Sequence, residues 1–261
     1  MQKLIVANLK MNILTLAERE EYFKLFKKEI KNKKIENSQI VFCPPYVHLE
    51  AFAEKLKTKN ISIGAQNIFW AEKGSYTGEI SAPMVKNIGA DYVILGHSDQ
   101  RRYFFENDEK INLKIISAFK NELKIVLCIG EDSEQKKSGN SEETILGQIS
   151  GCLENIPSAK IEDIIICYEP VWAISSNNPD HLPTADEIMS AKLLIRKFLV
   201  EKYGVTVAEK IKIIYGGSVA LENVKGTCIN PGMDGALVGK ESLDPSEFLK
   251  IAEIINANGR E

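Results

Sequence analysis

Eight short apolar runs recur along the chain, and this repetition constrains the fold more than any other feature of the sequence. The runs cover residues 4–7, 40–43, 61–65, 92–95, 125–129, 164–168, 211–215 and 236–238. Each is mostly apolar at consecutive positions, which is the pattern of parallel strands whose sheet is covered on both faces. The sequence therefore predicts eight buried parallel strands.

Longer segments with apolar residues three and four positions apart separate most of these strands, and this spacing predicts amphipathic helices. They cover residues 16–30, 47–56, 111–119, 145–153, 185–203 and 248–255, with shorter helical pieces after the third and seventh strands. Helix starts are predicted at residues 141–143, 184–187 and 245–247. There Ser141, Thr184 and Ser246 would supply capping oxygens beside early acidic residues.

The alternation of strands and helices is typical of the α/β class. Eight strands favour a (β/α)8 barrel over a doubly wound sheet, which usually has about five to seven. The 261 residues suit one such barrel, and no linker rich in proline, glycine or serine divides them, so we expect a single domain over residues 1–261. Barrel enzymes build their sites at the carboxyl ends of the strands, which makes the polar residues there the candidates.

Charge and cysteine content argue against several classes of function. A net charge of −3 gives no basic field for nucleic acid. The five cysteines include no CxxC pair, which indicates neither a disulfide framework nor a zinc site. The N-terminal apolar segment is too short for a signal peptide, and no apolar stretch approaches the ~18 residues of a membrane span. We expect a cytoplasmic protein with no nucleic-acid or membrane partner.

Polar residues and glycines follow the predicted strands, where a barrel would bring them to one mouth. They are Asn8, Lys10, Gln66, Asn67, His97, Ser98, Gly130, Glu131, Glu169, Gly216, Gly217, Ser218, Gly239 and Lys240. Each alone has an ordinary structural interpretation, as do His48 and His181, which lie outside this set. Their convergence on one mouth predicts a functional site.

Glycine-rich turns after the seventh and eighth strands predict a phosphate subsite, because such turns present backbone N–H groups to an anion. Lys10 adds a full positive charge, so a small phosphorylated substrate is expected. One carboxylate and one imidazole complete the set. That pair suits proton abstraction next to a carbonyl, with Glu169 as the base and His97 polarising the oxygen.

Eight short motifs occur in the order found in one enzyme family. They lie at residues 8–12, 64–67, 76–81, 92–98, 128–131, 168–174, 215–219 and 235–239. On these motifs the sequence resembles the triosephosphate isomerase family along its whole length. The resemblance implies a TIM barrel without a metal or organic cofactor. It also implies interconversion of D-glyceraldehyde 3-phosphate and dihydroxyacetone phosphate through an enediolate.

The resemblance assigns roles to individual residues. Glu169 would move the proton between neighbouring carbons, and His97, kept neutral by the start of a short helix, would hydrogen-bond the enediolate. Lys10 would stabilise the developing negative charge, and Asn8 would position the substrate. The family's lid corresponds to the segment from Pro170 onward. Backbone N–H groups would hold the phosphate, and they belong to Ser175, Ser218, Gly239 and Lys240.

The segment from Tyr76 to Glu79 resembles the family's loop that inserts into a neighbouring subunit. A homodimer through this loop is therefore expected. A surface turn is the ordinary alternative, but it would leave a polar and aromatic tip without evident purpose.

Several positions depart from the family. The lid at residues 175–183 lacks the usual glycines and carries two prolines. Lys240 replaces a glycine, and its side chain is expected to face solvent because the phosphate needs its N–H group alone. Asp99 and Gln100 stand where Glu and Arg are usual, and the shorter acid is expected to brace its neighbours less well.

Other functions compete with this interpretation. A sister isomerase acting on a four-carbon ketose phosphate would use the same base and electrophile under a reshaped lid. A non-catalytic barrel that binds sugar phosphates would have no reason to keep Glu169 opposite His97. A Schiff-base aldolase would need a lysine at the end of the sixth strand, where this chain has Glu169.

Overall fold

The computed structural model describes residues 2–175, 179 and 181–258. Eight parallel strands close into a barrel in sequence order, which confirms the predicted (β/α)8 TIM barrel. The strands are β1 (Lys3–Asn8), β2 (Ser38–Cys43), β3 (Ile61–Ala65), β4 (Tyr92–Leu95), β5 (Lys124–Ile129), β6 (Ile164–Tyr168), β7 (Ile213–Tyr215) and β8 (Gly235–Val238). Each of the eight apolar runs coincides with a strand to within two residues at either end.

Closure of the barrel depends on the seam between β1 and β8. The Leu4 N–H donates to the Asp234 carbonyl across 3.0 Å, and Leu4 pairs with Gly235 in the register of the two strands. A Cβ atom on Gly235 would lie 1.7 Å from the Leu4 carbonyl oxygen, and the φ of Gly235 is 154°. A glycine is therefore required at this point of the seam.

Helices surround the barrel. They are α1 (Leu16–Glu29), α2 (Tyr46–Leu56), α3 (Ala82–Asn87), α4 (Ser98–Phe104), α5 (Asp108–Lys120), α6 (Ser133–Lys137), α7 (Ser141–Cys152), α8 (Ser158–Ile161), α9 (Ala185–Tyr203), α10 (Val205–Ala208) and α11 (Pro245–Ala257). The six predicted helices correspond to α1, α2, α5, α7, α9 and α11. The piece predicted after the third strand is α3, and the piece after the seventh is a π-helical turn at Lys225–Ile229. Within the described part of the chain, every helix is too short or too polar to cross a membrane.

Two of the three predicted helix caps are wrong. Thr184 caps α9 in a capping box, as its spacing to an acidic residue predicts. Helix α7 already includes Ser141, and its cap position is Asn140, which makes no side-chain capping bond. The cap of α11 is Asp244, whose Oδ1 accepts from the Ser246 N–H at 2.8 Å. Asp244 rather than Ser246 is the cap because it directly precedes Pro245, the first helical residue, whereas Ser246 already lies within the helix.

The barrel interior and the surrounding helix layer form two separate apolar cores. The interior is filled by alternate strand positions, including Cys128 and Cys167, which pair directly across β5 and β6. In the outer layer, Phe42 of β2 contacts aromatic rings carried by helices, namely Tyr22, Phe26, Phe52 and Phe248. The two cores hold the strands rigidly, so side chains at the strand ends have fixed starting points.

Candidate active site

A cavity of about 400 Å³ opens at the carboxyl ends of the strands. Segments after β1, β4, β6, β7 and β8 converge on it. It is lined by the candidate residues Asn8, Lys10, His97, Glu169, Ser175, Gly216, Gly217, Gly239 and Lys240, and by Asn12, Ile174, Val219, Leu237 and Leu243. Among the described residues, no group of three or more histidine, cysteine, aspartate or glutamate side chains is placed to hold a metal ion.

His97 and Glu169 face each other across the cavity floor. The Nε2 atom of His97 lies 3.0 Å from Oε1 of Glu169, and the two residues are 5% and 2% exposed. The Asp99 N–H donates to Nδ1 of His97 across 3.0 Å. Because Nδ1 accepts this bond it carries no proton, so the ring is the neutral tautomer with its proton on Nε2. His97 therefore donates to the carboxylate of Glu169.

The start of α4 fixes both of these side chains. His97 occupies its cap position, and the Ser98 N–H donates to Oε2 of Glu169 across 3.0 Å. Each carboxylate oxygen of Glu169 thus accepts a hydrogen bond, one from a ring and one from the backbone. A free N–H at a helix start favours a negative charge beside it. Both bonds hold the carboxylate in place, so it must leave them before it can accept a proton from another molecule.

Glycines that directly follow the neighbouring strands β5 and β7 leave room for Glu169 at the end of β6. A Cβ atom on Gly130 would lie 2.0 Å from the Glu169 carbonyl oxygen. One on Gly216 would lie 2.4 Å from the Cys167 sulfur and 3.6 Å from Cβ of Glu169. Any side chain at these two positions would push the strand end of β6 out of place.

Lys10 reaches the cavity through an unusual backbone conformation. Its φ is 49°, a left-handed value that is rare for residues other than glycine, asparagine or aspartate. Neighbouring side chains hold this conformation, because the Lys10 N–H donates to Oδ1 of Asn8 across 3.1 Å and its carbonyl accepts from Gln66 Nε2 across 2.9 Å. Nζ of Lys10 lies 3.1 Å from Oδ2 of Asp99. The shorter acid therefore still reaches the lysine.

The other end of the cavity, where the resemblance places the phosphate, is formed by the start of the predicted lid and the turns after β7 and β8. Oγ of Ser175 lies 2.6 Å from Oγ of Ser218, and the Ser218 N–H donates to the Ala173 carbonyl across 3.3 Å. Ser218 therefore lies beside Ser175, and its N–H already has a partner. Gly239 and Lys240 line the cavity directly. Within the predicted lid, residues 176–178 and 180 lie outside the described part of the chain.

A buried carboxylate anchors the start of the lid. Glu131 accepts from Trp172 Nε1 at 2.8 Å and from the Tyr168 hydroxyl at 3.2 Å, and its carbonyl accepts from the Val171 N–H at 2.9 Å. Burial, together with the negative charge of Glu131, holds the pKa of Tyr168 well above its usual range, so the hydroxyl keeps the proton it donates. The lid therefore leaves the barrel from a fixed hinge.

Residues 3–255 match the family model of triosephosphate isomerase, which is nearly the whole chain. The chain belongs to the triosephosphate isomerase family. The triosephosphate isomerase of Dictyoglomus turgidum is 42% identical over 250 residues, covering 96% of this chain and 98% of that protein. The enzyme of Alkaliphilus oremlandii is 39% identical over 252 residues, covering 96% and 99%. That of Clostridium botulinum is 39% identical over 253 residues, covering 97% and 98%.

Sequence reasoning missed part of this triosephosphate isomerase site. Asn12 lines the cavity, and its Nδ2 donates to the Leu9 carbonyl across 2.7 Å, although the sequence singled it out only as part of a motif. Gln66 and Glu131 were strand-end candidates without a role, and the structure gives them the support of Lys10 and of the lid hinge. A polar residue that ends a strand but has no chemical role is a usable signal for such support. Of the histidines set aside, His48 hydrogen-bonds the Ile13 carbonyl at 2.8 Å, away from the cavity.

Proposed function

We propose that Glu169, His97 and Lys10 carry out the isomerase reaction of this chain. The reaction itself follows from family membership: D-glyceraldehyde 3-phosphate and dihydroxyacetone phosphate interconvert by proton transfer through an enediolate. The single observation that carries the proposal is the 3.0 Å contact between the neutral His97 ring and the buried Glu169 carboxylate, inside a cavity of substrate size. A base and an electrophile that already touch can act on adjacent atoms of one small molecule.

The carbon-bound proton moves in two steps, first to Glu169 and then to the neighbouring carbon. Glu169 takes a proton from the carbon next to the carbonyl, while Nε2–H of His97 turns from the carboxylate to the substrate oxygen. The enediolate that forms is stabilised by that N–H group and by the ammonium of Lys10. The hydroxyl proton of the enediolate then passes through Nε2 of His97 to the former carbonyl oxygen, and Glu169 returns its proton to the former carbonyl carbon, which leaves the carbonyl group on the other carbon. The carboxylate must first leave the Ser98 N–H, so substrate binding and release of the base are coupled.

The phosphate is held at the opposite end. Backbone N–H groups of Ser175, Gly239 and Lys240, with that of Ser218 once it leaves Ala173, would surround the anion. Asn8 would position the substrate between the two ends. The lid from Pro170 onward would close over the site and exclude water from the enediolate. These steps use side chains of this chain alone, and we predict that no metal or organic cofactor takes part.

A homodimer through the loop from Tyr76 to Glu79 is also part of the proposal. The Phe69 ring stacks on Trp70 at a centroid distance of 3.9 Å and contacts Tyr76 in a tilted arrangement at 4.6 Å, which supports a loop already shaped for insertion. Apolar side chains in the segments after β1, β2 and β4 are left in water. They are Met11, Leu14, Val47, Phe104 and Phe105, of which Met11 is 88% exposed. A cluster of this kind on adjacent strand ends is typical of a protein interface.

The first experiment measures the rate of interconversion of the two triose phosphates by wild type, Glu169→Ala and Glu162→Ala. Loss of the base should lower kcat by about 10²–10⁴-fold, whereas Glu162, an exposed carboxylate outside the cavity, should not matter. A four-carbon ketose phosphate is run alongside. An active Glu169→Ala enzyme would contradict the assignment of the base, and faster turnover of the four-carbon substrate would identify the sister isomerase.

The dimer is tested by sedimentation of wild type, Tyr76→Asp and Leu193→Asp. Leu193 is an exposed apolar residue of α9 on the opposite side of the barrel and serves as the matched control. We expect a dimer that dissociates in the first variant and persists in the second. A monomeric wild type would reject the proposed interface. The proposals of one domain over residues 1–261 and of a cytoplasmic location rest on the sequence, with the five buried, unpaired cysteines supporting the latter.

A further inference from the structure

Lys240 brings an additional cation to the phosphate end of the cavity. It opens the 3₁₀ turn Lys240–Leu243 directly after Gly239 and lines the same cavity as Lys10. A Cβ atom on Gly239 would lie 3.9 Å from Cε of Lys10, so the turn after β8 runs beside that lysine. Among the described residues, no carboxylate oxygen lies within 4.0 Å of the Lys240 ammonium.

The other cation of the site, Lys10, is already compensated. Lys10 is paired with Asp99 at 3.1 Å, so these two groups together contribute no net charge. His97 is neutral, and Glu169 contributes one negative charge. A phosphate ester carries close to two negative charges at pH 7, as phosphorylated side chains do. Without Lys240 the free site would carry a net negative charge, as the substrate does. With Lys240 the free site is close to neutral.

We propose that the side-chain ammonium of Lys240 binds the substrate phosphate and sets the affinity of the enzyme for phosphorylated substrates. The inference rests on the proposed function, because it concerns the same site. It differs from the expectation that this side chain faces solvent and that the phosphate needs the N–H group of Lys240 alone. We expect this contact to be equally strong in the bound substrate and in the transition state, and therefore to act on KM rather than on kcat.

The test compares wild type with Lys240→Gln, which keeps the backbone N–H and much of the side-chain length but removes the charge. KM for glyceraldehyde 3-phosphate should rise about tenfold, the size expected for loss of a hydrogen bond to a charged group, while kcat stays within about twofold. The inhibition constant of inorganic phosphate should rise by a similar factor. Because Lys240 is exposed, the difference in KM should shrink when salt is raised from about 0.02 M to about 0.5 M.

Two controls separate a contact with phosphate from other effects. Lys28→Gln removes one positive charge from the exposed face of α1 and should leave KM unchanged. Glyceraldehyde, which lacks the phosphate, should be turned over equally by wild type and Lys240→Gln. A glyceraldehyde rate that falls as much as the rate with the phosphorylated substrate would overturn the proposal, since Lys240 would then act on the site as a whole.

A second variant, Lys240→Gly, restores the residue usual in the family at this position. It should raise KM as Lys240→Gln does, because the charge is the cause. Wild-type KM and phosphate inhibition in either variant would reject the role of Lys240 while leaving the isomerase assignment intact. Failure of the assignment itself has a different signature, namely a wild-type enzyme without isomerase activity.

Discussion

The proton-transfer end and the phosphate end that we propose for the cavity differ in how their side chains are held. At the first, His97 and Glu169 are buried, and the ring nitrogens and carboxylate oxygens all have hydrogen-bond partners. At the second, Ser175 is half-buried and Lys240 is exposed, and within the described residues the start of the lid contacts the turn after β7 through one pair of hydroxyl groups and the Ser218 N–H. One end is held by several contacts per side chain, and the other by few.

The difference follows from what each end must do. Proton transfer depends on distances of a few tenths of an ångström, so its groups need many constraints. An anion is held by charge and by several N–H groups together, which tolerates variation in any one of them. The departures from the family at Ser175 and Lys240 lie at the phosphate end, whereas His97 and Glu169 match the family pattern. Substitutions at the two ends should therefore act on different kinetic constants.

The largest effect is expected from His97→Gln. Loss of the ring N–H removes a donor to the developing enediolate, which should lower kcat by about 10²–10³-fold and change KM little. Steady-state kinetics with both triose phosphates measures the two constants. His48→Gln is the matched control, because His48 is equally buried but hydrogen-bonds the Ile13 carbonyl outside the cavity. A comparable fall in kcat in the control would contradict the assignment of His97 to the proton-transfer end.

A smaller effect is expected from Ser175→Ala and Ser218→Ala. Each removes one hydroxyl at the phosphate end, so KM should rise by about two- to tenfold while kcat stays within about twofold. The double variant should cost less than the product of the two single changes, because the hydroxyls share one hydrogen bond. Ser190→Ala, on the exposed face of α9, is the control. If kcat fell and KM did not, the serines would belong to the chemistry of the other end.

The smallest effect on activity is expected from thiol reagents, because Cys128 and Cys167 lie in the barrel interior below the proton-transfer end. Burial raises the pKa of the Cys167 thiol. The pKa of the Cys128 thiol is raised mainly by a hydrogen bond with Cys167 and also by burial. Both thiols should stay protonated and unreactive toward disulfide reagents at pH 7, leaving activity unchanged, while the unfolded chain reacts at all five cysteines. Thiol titration of native and denatured protein checks this. Rapid loss of activity on modification would show that the interior beneath Glu169 opens.

The same thiols predict how stability depends on pH. Their pKa values are raised in the folded state, so their contribution is complete below the unfolded thiol pKa of about 8.5 and is lost as pH rises above it. The urea midpoint should therefore fall from pH 7 to about pH 9.5, and less so in Cys167→Ala. An equal fall in both proteins would assign the alkaline loss to other groups.

The sequence predicted the barrel because buried parallel strands need apolar residues on both faces. Runs such as residues 125–129 meet this requirement, since they are apolar at consecutive positions. It also located His97 and Glu169, since a barrel brings strand ends to one mouth whatever the loops do. The left-handed backbone of Lys10 and the hinge at Glu131 could not be predicted in this way. Both depend on partners far along the chain, Gln66 and Trp172, whose distances follow from register and loop path.

The glycine seam between β1 and β8 links the formation of the site to the completion of synthesis. Asn8 and Lys10 follow the first strand, and Gly239 and Lys240 follow the last, so the two halves of the substrate site meet when Gly235 closes against Leu4. A chain still attached to the ribosome without its final strand has no complete site. Substrate can therefore stabilise finished barrels and not their precursors, and the substrate pool acts as a selective ligand for correctly closed molecules.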